Sequence, residues 1–284
     1  KMKKIVVTGV STGIGYATAK ILSQSGYFVY GSVRNEHDAK KISKELGENF
    51  QALIIDVTNL ESIKNSVQIV KSDLKSNEGL SGLVNNAGIA LGGPITLIET
   101  DVFRKQFDVN FFGLIDVTKA FLPILGASKD SHYKGKIINI SSISGLRANP
   151  FVGPYSASKF ALEAFSDSLR RELLIYDIDV ILIEPGPIKT AIWDKTPDPD
   201  DNEFLNTDYE PALKKFYNLF IEMGKKGLDA DVIGNCVKNI LQNPKPNVRH
   251  VITPKKFITY TLESLIPTRW YDKMIGRGLG LIKK

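Results

Sequence analysis

Residues 4–15 read Lys-Ile-Val-Val-Thr-Gly-Val-Ser-Thr-Gly-Ile-Gly, a β-branched run that closes on three glycines, with an apolar-periodic segment over 16–25 behind it. Strand, glycine turn and helix in that order predict the opening unit of a parallel α/β sheet, with a turn suited to a dinucleotide pyrophosphate. Glycine lets backbone amides approach the phosphates, and a helix N-terminus favours their negative charge. Gly9, Ser11, Thr12, Gly13, Ile14 and Gly15 are therefore candidate cofactor contacts. A glycine cluster alone is weak evidence, because tight turns use glycine for shape. Its setting gives it weight.

Working outward, the same alternation repeats. Residues 27–32 form a second strand pattern, 37–46 a polar helix, 51–55 a third strand and 63–74 a helix, and residues 83–88 read as a fourth strand running into a small-residue turn. An apolar helical pattern spans 103–125, a fifth strand 135–140, a helix 155–176 and a sixth strand 180–183; a helix over 229–241 and a strand over 249–252 follow. The predicted fold class is α/β, a single-domain doubly wound parallel sheet of Rossmann type, about seven strands with helices on both faces. Ligands of such sheets bind at the carboxyl ends of the strands. That edge collects the candidates.

At the end of the second strand, where a carboxylate commonly meets the ribose hydroxyls, the chain offers Ser32-Val33-Arg34-Asn35 and no acid before Glu36. Arg34 can pair with a 2′-phosphate, which favours NADP(H) and leaves NAD(H) possible. Asp56 and Val57 close the third strand; Asp56 either caps the helix starting near Leu60 or touches adenine. Asn86, Ala87 and Gly88 form the small-residue turn. Asn110 sits in an apolar helix pattern and must find polar partners, structural or catalytic.

Residues 142–159, SISGLRANPFVGPYSASK, place Tyr155 and Lys159 on one helix face behind Ser142. A free phenol titrates near about pH 10, and a nearby ammonium lowers that value, so the pair is a candidate acid/base device. Ser142 could hold a substrate oxygen against the phenol. Pro185 and Gly186 break the sixth strand, with Ile188 and Thr190 just beyond.

With 284 residues and 43% hydrophobic content, the chain can bury a sizeable core. The apolar run after Met2 is too short for a secretory leader, and nowhere do about 18 consecutive apolar residues suggest a membrane span. Cys236 is the lone cysteine, which fits a reducing, cytoplasmic setting, and three scattered histidines suggest no metal site. Eight Lys/Arg against two Asp/Glu lie within 249–284, so the chain's net +6 resides there and the remainder is neutral. Nucleic acid is not an expected partner, since no interleaved binding motif accompanies this charge.

The ordered set Thr8-Gly9-x-x-x-Gly13-Ile14-Gly15, Asp56, Asn85-Asn86-Ala87-Gly88, Asn110, Ser142, Tyr155-x-x-x-Lys159 and Pro185-Gly186 resembles the classical short-chain dehydrogenase/reductase family over residues 3–190. The resemblance implies that Tyr155 is the catalytic acid/base, that Lys159 lowers its pKa and holds the nicotinamide ribose, and that Ser142 positions the carbonyl or hydroxyl. It implies further that Asn110 maintains a water-linked proton relay, and that Asn86, Ile188 and Thr190 join the glycine turn in binding the cofactor. The segments around Tyr155 and Pro185 look similar to the hydroxysteroid and retinol dehydrogenase branch. This implies a small apolar ketone, aldehyde or secondary alcohol of steroid, retinoid or lipid type as substrate, while the long helices at Phe103 and Tyr155 resemble those through which relatives form dimers or tetramers, which implies a homodimer or homotetramer. The alternatives are an NAD-dependent alcohol oxidation or a non-catalytic nucleotide sensor.

The expected organisation is a core over 2–190, a substrate lid over 191–227, the end of the core over 228–253 and a basic helical tail over 254–284. Ile192, Trp193, Phe204, Phe216, Tyr217 and Phe220 are the lid's apolar residues; the acidic run over 194–210, with seven Asp/Glu and one Lys, reads as a solvated face. The tail carries Trp270, Met274 and Ile275 among Arg269, Lys273 and Arg277. Packing over its own pocket or on a neighbouring subunit is preferred to peripheral membrane contact.

Overall fold

The structure is a computed structural model that describes residues 2–75, 77–190, 203–254 and 265–282. The chain alternates strand and helix: β1 Lys3–Val7, α1 Gly13–Gln24, β2 Tyr27–Val33, α2 Glu36–Leu46, β3 Phe50–Ile54, α3 Leu60–Asp73, β4 Gly82–Asn85. Then come α4 Thr100–Phe107, a π-helical turn Asp108–Phe112, α5 Gly113–Leu125, β5 Lys136–Ile140, α6 Gly153–Glu172 and β6 Asp179–Pro185. The two-residue strands β7 Ile188–Lys189 and β8 Leu228–Asp229 pair with each other, flanking α7 Glu210–Lys225; α8 Ala230–Gln242, β9 Arg249–Ile252 and α9 Thr268–Leu279 complete the described elements.

Seven strands make one parallel sheet in the order β3-β2-β1-β4-β5-β6-β9. The order reverses direction between β1 and β4, the switch point of a doubly wound sheet. Because both faces are covered, the strands read as near-continuous apolar runs. In β1, Ile5 and Val7 face a core shared with Ala19 and Leu22 of α1 and Ile233 and Val237 of α8. Val6 points the other way, into a core with Ile63 of α3 and Val117 and Phe121 of α5. A third, aromatic cluster joins Phe151, Phe204, Phe216 and Tyr217 with Leu279 of α9.

One helix expected to run unbroken, over 103–125, is interrupted by the π turn around Asn110. Two contacts explain the break. The Asn110 amide grips the backbone of Ile89, and Gly113 lies so close to Val57 that a Cβ there would sit 2.8 Å from the Val57 carbonyl oxygen. Helix α6 begins two residues before the expected start, with Pro154 in its first turn, where the missing N–H costs nothing. The expected lid residues Ile192 and Trp193, most of the acidic run, and the tail from 255 to 264 lie outside the described residues. No helix among the described residues is long and apolar enough to cross a membrane.

Candidate active site

The carboxyl ends of β1, β2, β4, β5 and β6 deliver the candidate residues to one edge. Behind β1 the glycine turn is closed by contacts that exclude side chains. A Cβ on Gly15 would lie 2.1 Å from the Gly9 carbonyl oxygen, and one on Gly9 would lie 2.9 Å from Ala87 Cα. Gly9 and Gly13 also take positive φ, 71° and 62°. Thr12 precedes α1 without a side-chain cap, and no acidic residue occupies the first turn. The helix therefore presents uncapped N–H groups and its positive dipole end beside a cradle of bare backbone. These features fit a pyrophosphate. Ile14, by contrast, packs against the inner core.

Asn86 holds the turn from the neighbouring strand end. Its Nδ2 donates to the carbonyls of Thr8 and Gly9, each at 3.0 Å, while its own N–H and that of Ala87 donate to Thr8 Oγ1. Both amide hydrogens are thus engaged within the protein, leaving Oδ1. Gly88 sits against Asn110, whose Oδ1 would lie 3.2 Å from an added Cβ. Thr190 approaches from the other side, its methyl 3.2 Å from the Cβ position of Gly13, and Ile188 beside it is buried. At the end of β6, Gly186 donates to the Ile252 carbonyl at 2.8 Å after the buried Pro185.

At the far end, Ser32 Oγ accepts from Gly9 N–H at 2.9 Å, and the first side chain past β2 reaching solvent is Arg34. Asn35, which follows it, caps α2 by accepting from Asp38 N–H. Asp56 does not cap α3; Asn59 does, accepting from Glu61 and Ser62 N–H. A side-chain amide directly before the helix reaches those donors more easily than a carboxylate three residues upstream. Asp56 instead accepts from the hydroxyl and N–H of Thr58. Those bonds, together with the positive charge of Arg34, hold its carboxyl below the usual range. Arg34 and Asp56 thus share one patch. Val57, buried, closes it against Gly113.

At the centre of the edge, Ser142 ends the β5 turn in extended conformation. Its Oγ accepts from Ser144 N–H at 3.1 Å and bonds the Tyr155 phenol. With Ser144 donating to it, the serine's own hydrogen is free to point at the phenol oxygen, a bond that favours the phenolate. Burial nevertheless dominates and raises the Tyr155 pKa. This differs from the lowering expected of Lys159. The lysine lies one helical turn on, its Nζ 5.7 Å from the Tyr155 ring centre, and donates to the Ile140 carbonyl at 2.8 Å. Burial brings Lys159 down to about 8, against an upward pull from Glu163.

Asn110 is 2% exposed; its Oδ1 accepts from Ile89 N–H and its Nδ2 donates to Ile89 O, with Ser158 Oγ at 3.4 Å. Several polar partners escaped the sequence analysis. Gln106 grips the same loop through Leu91 N–H and Ile89 O. A buried chain runs from Thr118 through Asn85 and Asn139 to Ser166. Glu163, one turn beyond Lys159, pairs with Arg249, which also binds Glu184 and Asp167. Glu163 had a signal, its four-residue spacing from Lys159; Arg249, some ninety residues away in sequence, had none.

A family model described as short chain dehydrogenase matches residues 3–201. The chain belongs to this family. It is an NAD(P)-dependent short-chain oxidoreductase. Over 278 residues it is 40% identical to an NADPH-dependent 3-dehydrocapnine reductase of Ornithobacterium rhinotracheale, covering 98% of each chain. Over 250 residues it is 33% identical to a 3-ketodihydrosphingosine reductase of Bacteroides thetaiotaomicron, covering 88% of this chain and 87% of that one. Among solved structures, a short-chain dehydrogenase from Streptomyces avermitilis superposes with a TM-score of 0.76 at 24% identity, over 98% of each chain. That likeness confirms the fold.

Proposed function

We propose that this short-chain dehydrogenase reduces the ketone of an apolar, lipid-like substrate with NADPH, and that its substrate bears a 3-keto group on a long-chain base. The observation that carries the chemistry is the Ser142–Tyr155 hydrogen bond with Lys159 one turn away on the same helix. Bound nicotinamide supplies the hydride. The residues of the chain do the rest: Ser142 shares its hydrogen bond between phenol and substrate oxygen, Tyr155 delivers a proton to that oxygen, and Lys159 stabilises the phenolate left behind.

Two lines support the specificity. The relatives above are named for reducing 3-dehydro and 3-keto compounds, one with NADPH. Independently, Arg34 stands exposed just past β2, where the strand end itself carries no acid, a pattern suited to a 2′-phosphate. The apolar lining fits as well. Phe151, four residues before Tyr155, stacks edge-on against Phe216 at 5.5 Å, and Phe216 stacks on Phe220 at 5.2 Å, so the loop leading to Tyr155 meets an aromatic face of α7.

The test is turnover of 3-ketodihydrosphingosine followed by loss of NADPH absorbance, with NADH in parallel. Reduction with NADPH that disappears in Tyr155→Phe, while NADPH still binds, supports the proposal. No reduction of any 3-keto base, beside oxidation of a retinoid or steroid alcohol with NAD, would replace it.

A further inference from the structure

Among the described residues, helix α9 is packed on one side only. Leu279 and Gly276 are buried, Ile275 joins the aromatic cluster of α7, and Arg147 lies 4.2 Å over the Tyr271 ring. Its inner side thus meets both α7 and the loop that leads from Ser142 to Tyr155. At about 100° per residue, Trp270, Met274 and Arg277 fall on a stripe opposite Leu279. Trp270 is 73% exposed and Met274 49%. Arg269, Lys273 and Arg277, all exposed, surround them, with Asp272 the single acid of the helix.

We propose that this outer face of α9 docks the enzyme on an anionic bilayer. An indole and a thioether among three cations have the make-up of an interfacial helix: apolar groups enter the acyl boundary, and the cations meet anionic headgroups. The helix itself carries Arg269, Lys273 and Arg277 against Asp272, a net of +2. A second copy of the chain is a poorer occupant. Two-fold pairing would set Arg269, Lys273 and Arg277 against their own equivalents, an arrangement that repels. Docking through α9 would leave one helix between the bilayer and both α7 and the loop before Tyr155. In that respect the proposal deepens the assignment of a lipid-like substrate and rests on it, although the contact itself needs no substrate.

The experiment uses the full chain and substrate-free vesicles, so a failure here and a failure of the ketone assignment are read separately. Phosphatidylcholine vesicles with and without phosphatidylserine are mixed with the protein and sedimented. The expected result is partition onto the serine-containing vesicles, release by high salt, and at least about tenfold weaker partition for Lys273→Glu/Arg277→Glu. Trp270→Ala/Met274→Ala should also weaken it, with NADPH affinity unchanged in both variants as the sign that they fold. Wild-type protein left in the supernatant, or equal partition onto both vesicle types, overturns the proposal. So does a Trp270→Ala/Met274→Ala protein that keeps its vesicle binding but falls to a smaller species in light scattering, because the face is then a subunit contact.

Discussion

Arg249 on β9 donates from Nη1 to Glu184 Oε1 on β6 at 2.7 Å, tying the last strand of the sheet to the strand that ends at Pro185, just before Gly186. The same guanidinium binds Glu163 and lies 3.2 Å from Asp167 on α6. Glu184 is 1% exposed, so the pair cannot be exchanged for water. Arg249→Met leaves two buried carboxylates without their cation. Breaking a buried pair on one side costs about 3–5 kcal/mol, toward the lower end here because Arg249 itself is partly solvated. Thermal denaturation should show a Tm lower by several degrees. An unchanged Tm would contradict this.

How much of this was legible in the sequence follows from range. The glycine turn, the strand ends and the Tyr155–Lys159 spacing are local patterns, each governed by contacts within a few residues, and they located the site edge. The π turn at Asn110 depends on Ile89, the cap of α3 on a choice between Asp56 and Asn59, and the Arg249 cluster on strands joined only by the fold. The upward displacement of the Tyr155 pKa was also beyond reach. Spacing shows which ammonium is near, but only burial shows how strongly desolvation opposes it.

Lys159 gives a pH prediction with a defined sign. Its folded value, about 8, lies below the roughly 10.4 of an unfolded lysine, so between the two the folded chain binds fewer protons. Stability therefore rises with pH across that window, because the burial penalty of the ammonium disappears as it loses its proton. Turnover should move the opposite way, falling as pH passes about 8 and the charge beside Tyr155 is lost. Glu163→Gln removes the upward pull and should shift that midpoint down. A midpoint unmoved in the variant would mean that Glu163 acts only through Arg249.

Gly15→Ala tests the cradle. Its Cβ would meet the Gly9 carbonyl oxygen at 2.1 Å and Asn86 Nδ2 at 2.5 Å, both held by the backbone network of the turn. Forced overpacking of this kind costs about 1–3 kcal/mol. NADPH fluorescence titration should show at least about tenfold weaker binding, since the displaced turn no longer presents its amides to the pyrophosphate.

Arg34→Ala separates the two nicotinamide cofactors. A charge-assisted contact to a 2′-phosphate contributes about 1.5–3 kcal/mol, so NADPH should bind roughly tenfold to a hundredfold more weakly while NADH is unaffected. Asp56, held ionised beside Arg34, repels a 2′-phosphate once the guanidinium is gone, which adds to the loss. Equal weakening of both cofactors would place Arg34 in the fold of the β2 end and not in phosphate recognition.

Ser142→Ala isolates the hydrogen bond that opposes burial at Tyr155. The serine hydroxyl hydrogen-bonds the phenol and pulls its pKa down against burial, and Ser144 N–H fixes its orientation. Without it, the phenol titrates higher still. The difference absorbance of wild type minus Tyr155→Phe, followed against pH, should reach its phenolate plateau at higher pH in the Ser142→Ala background. Turnover should fall about a hundredfold or more, the scale of one lost group in proton transfer or oxyanion binding. Because Ser142 touches substrate in the proposed chemistry, the loss should appear in kcat as well as kcat/KM, with NADPH affinity unchanged. A raised KM at constant kcat would instead assign Ser142 to binding alone.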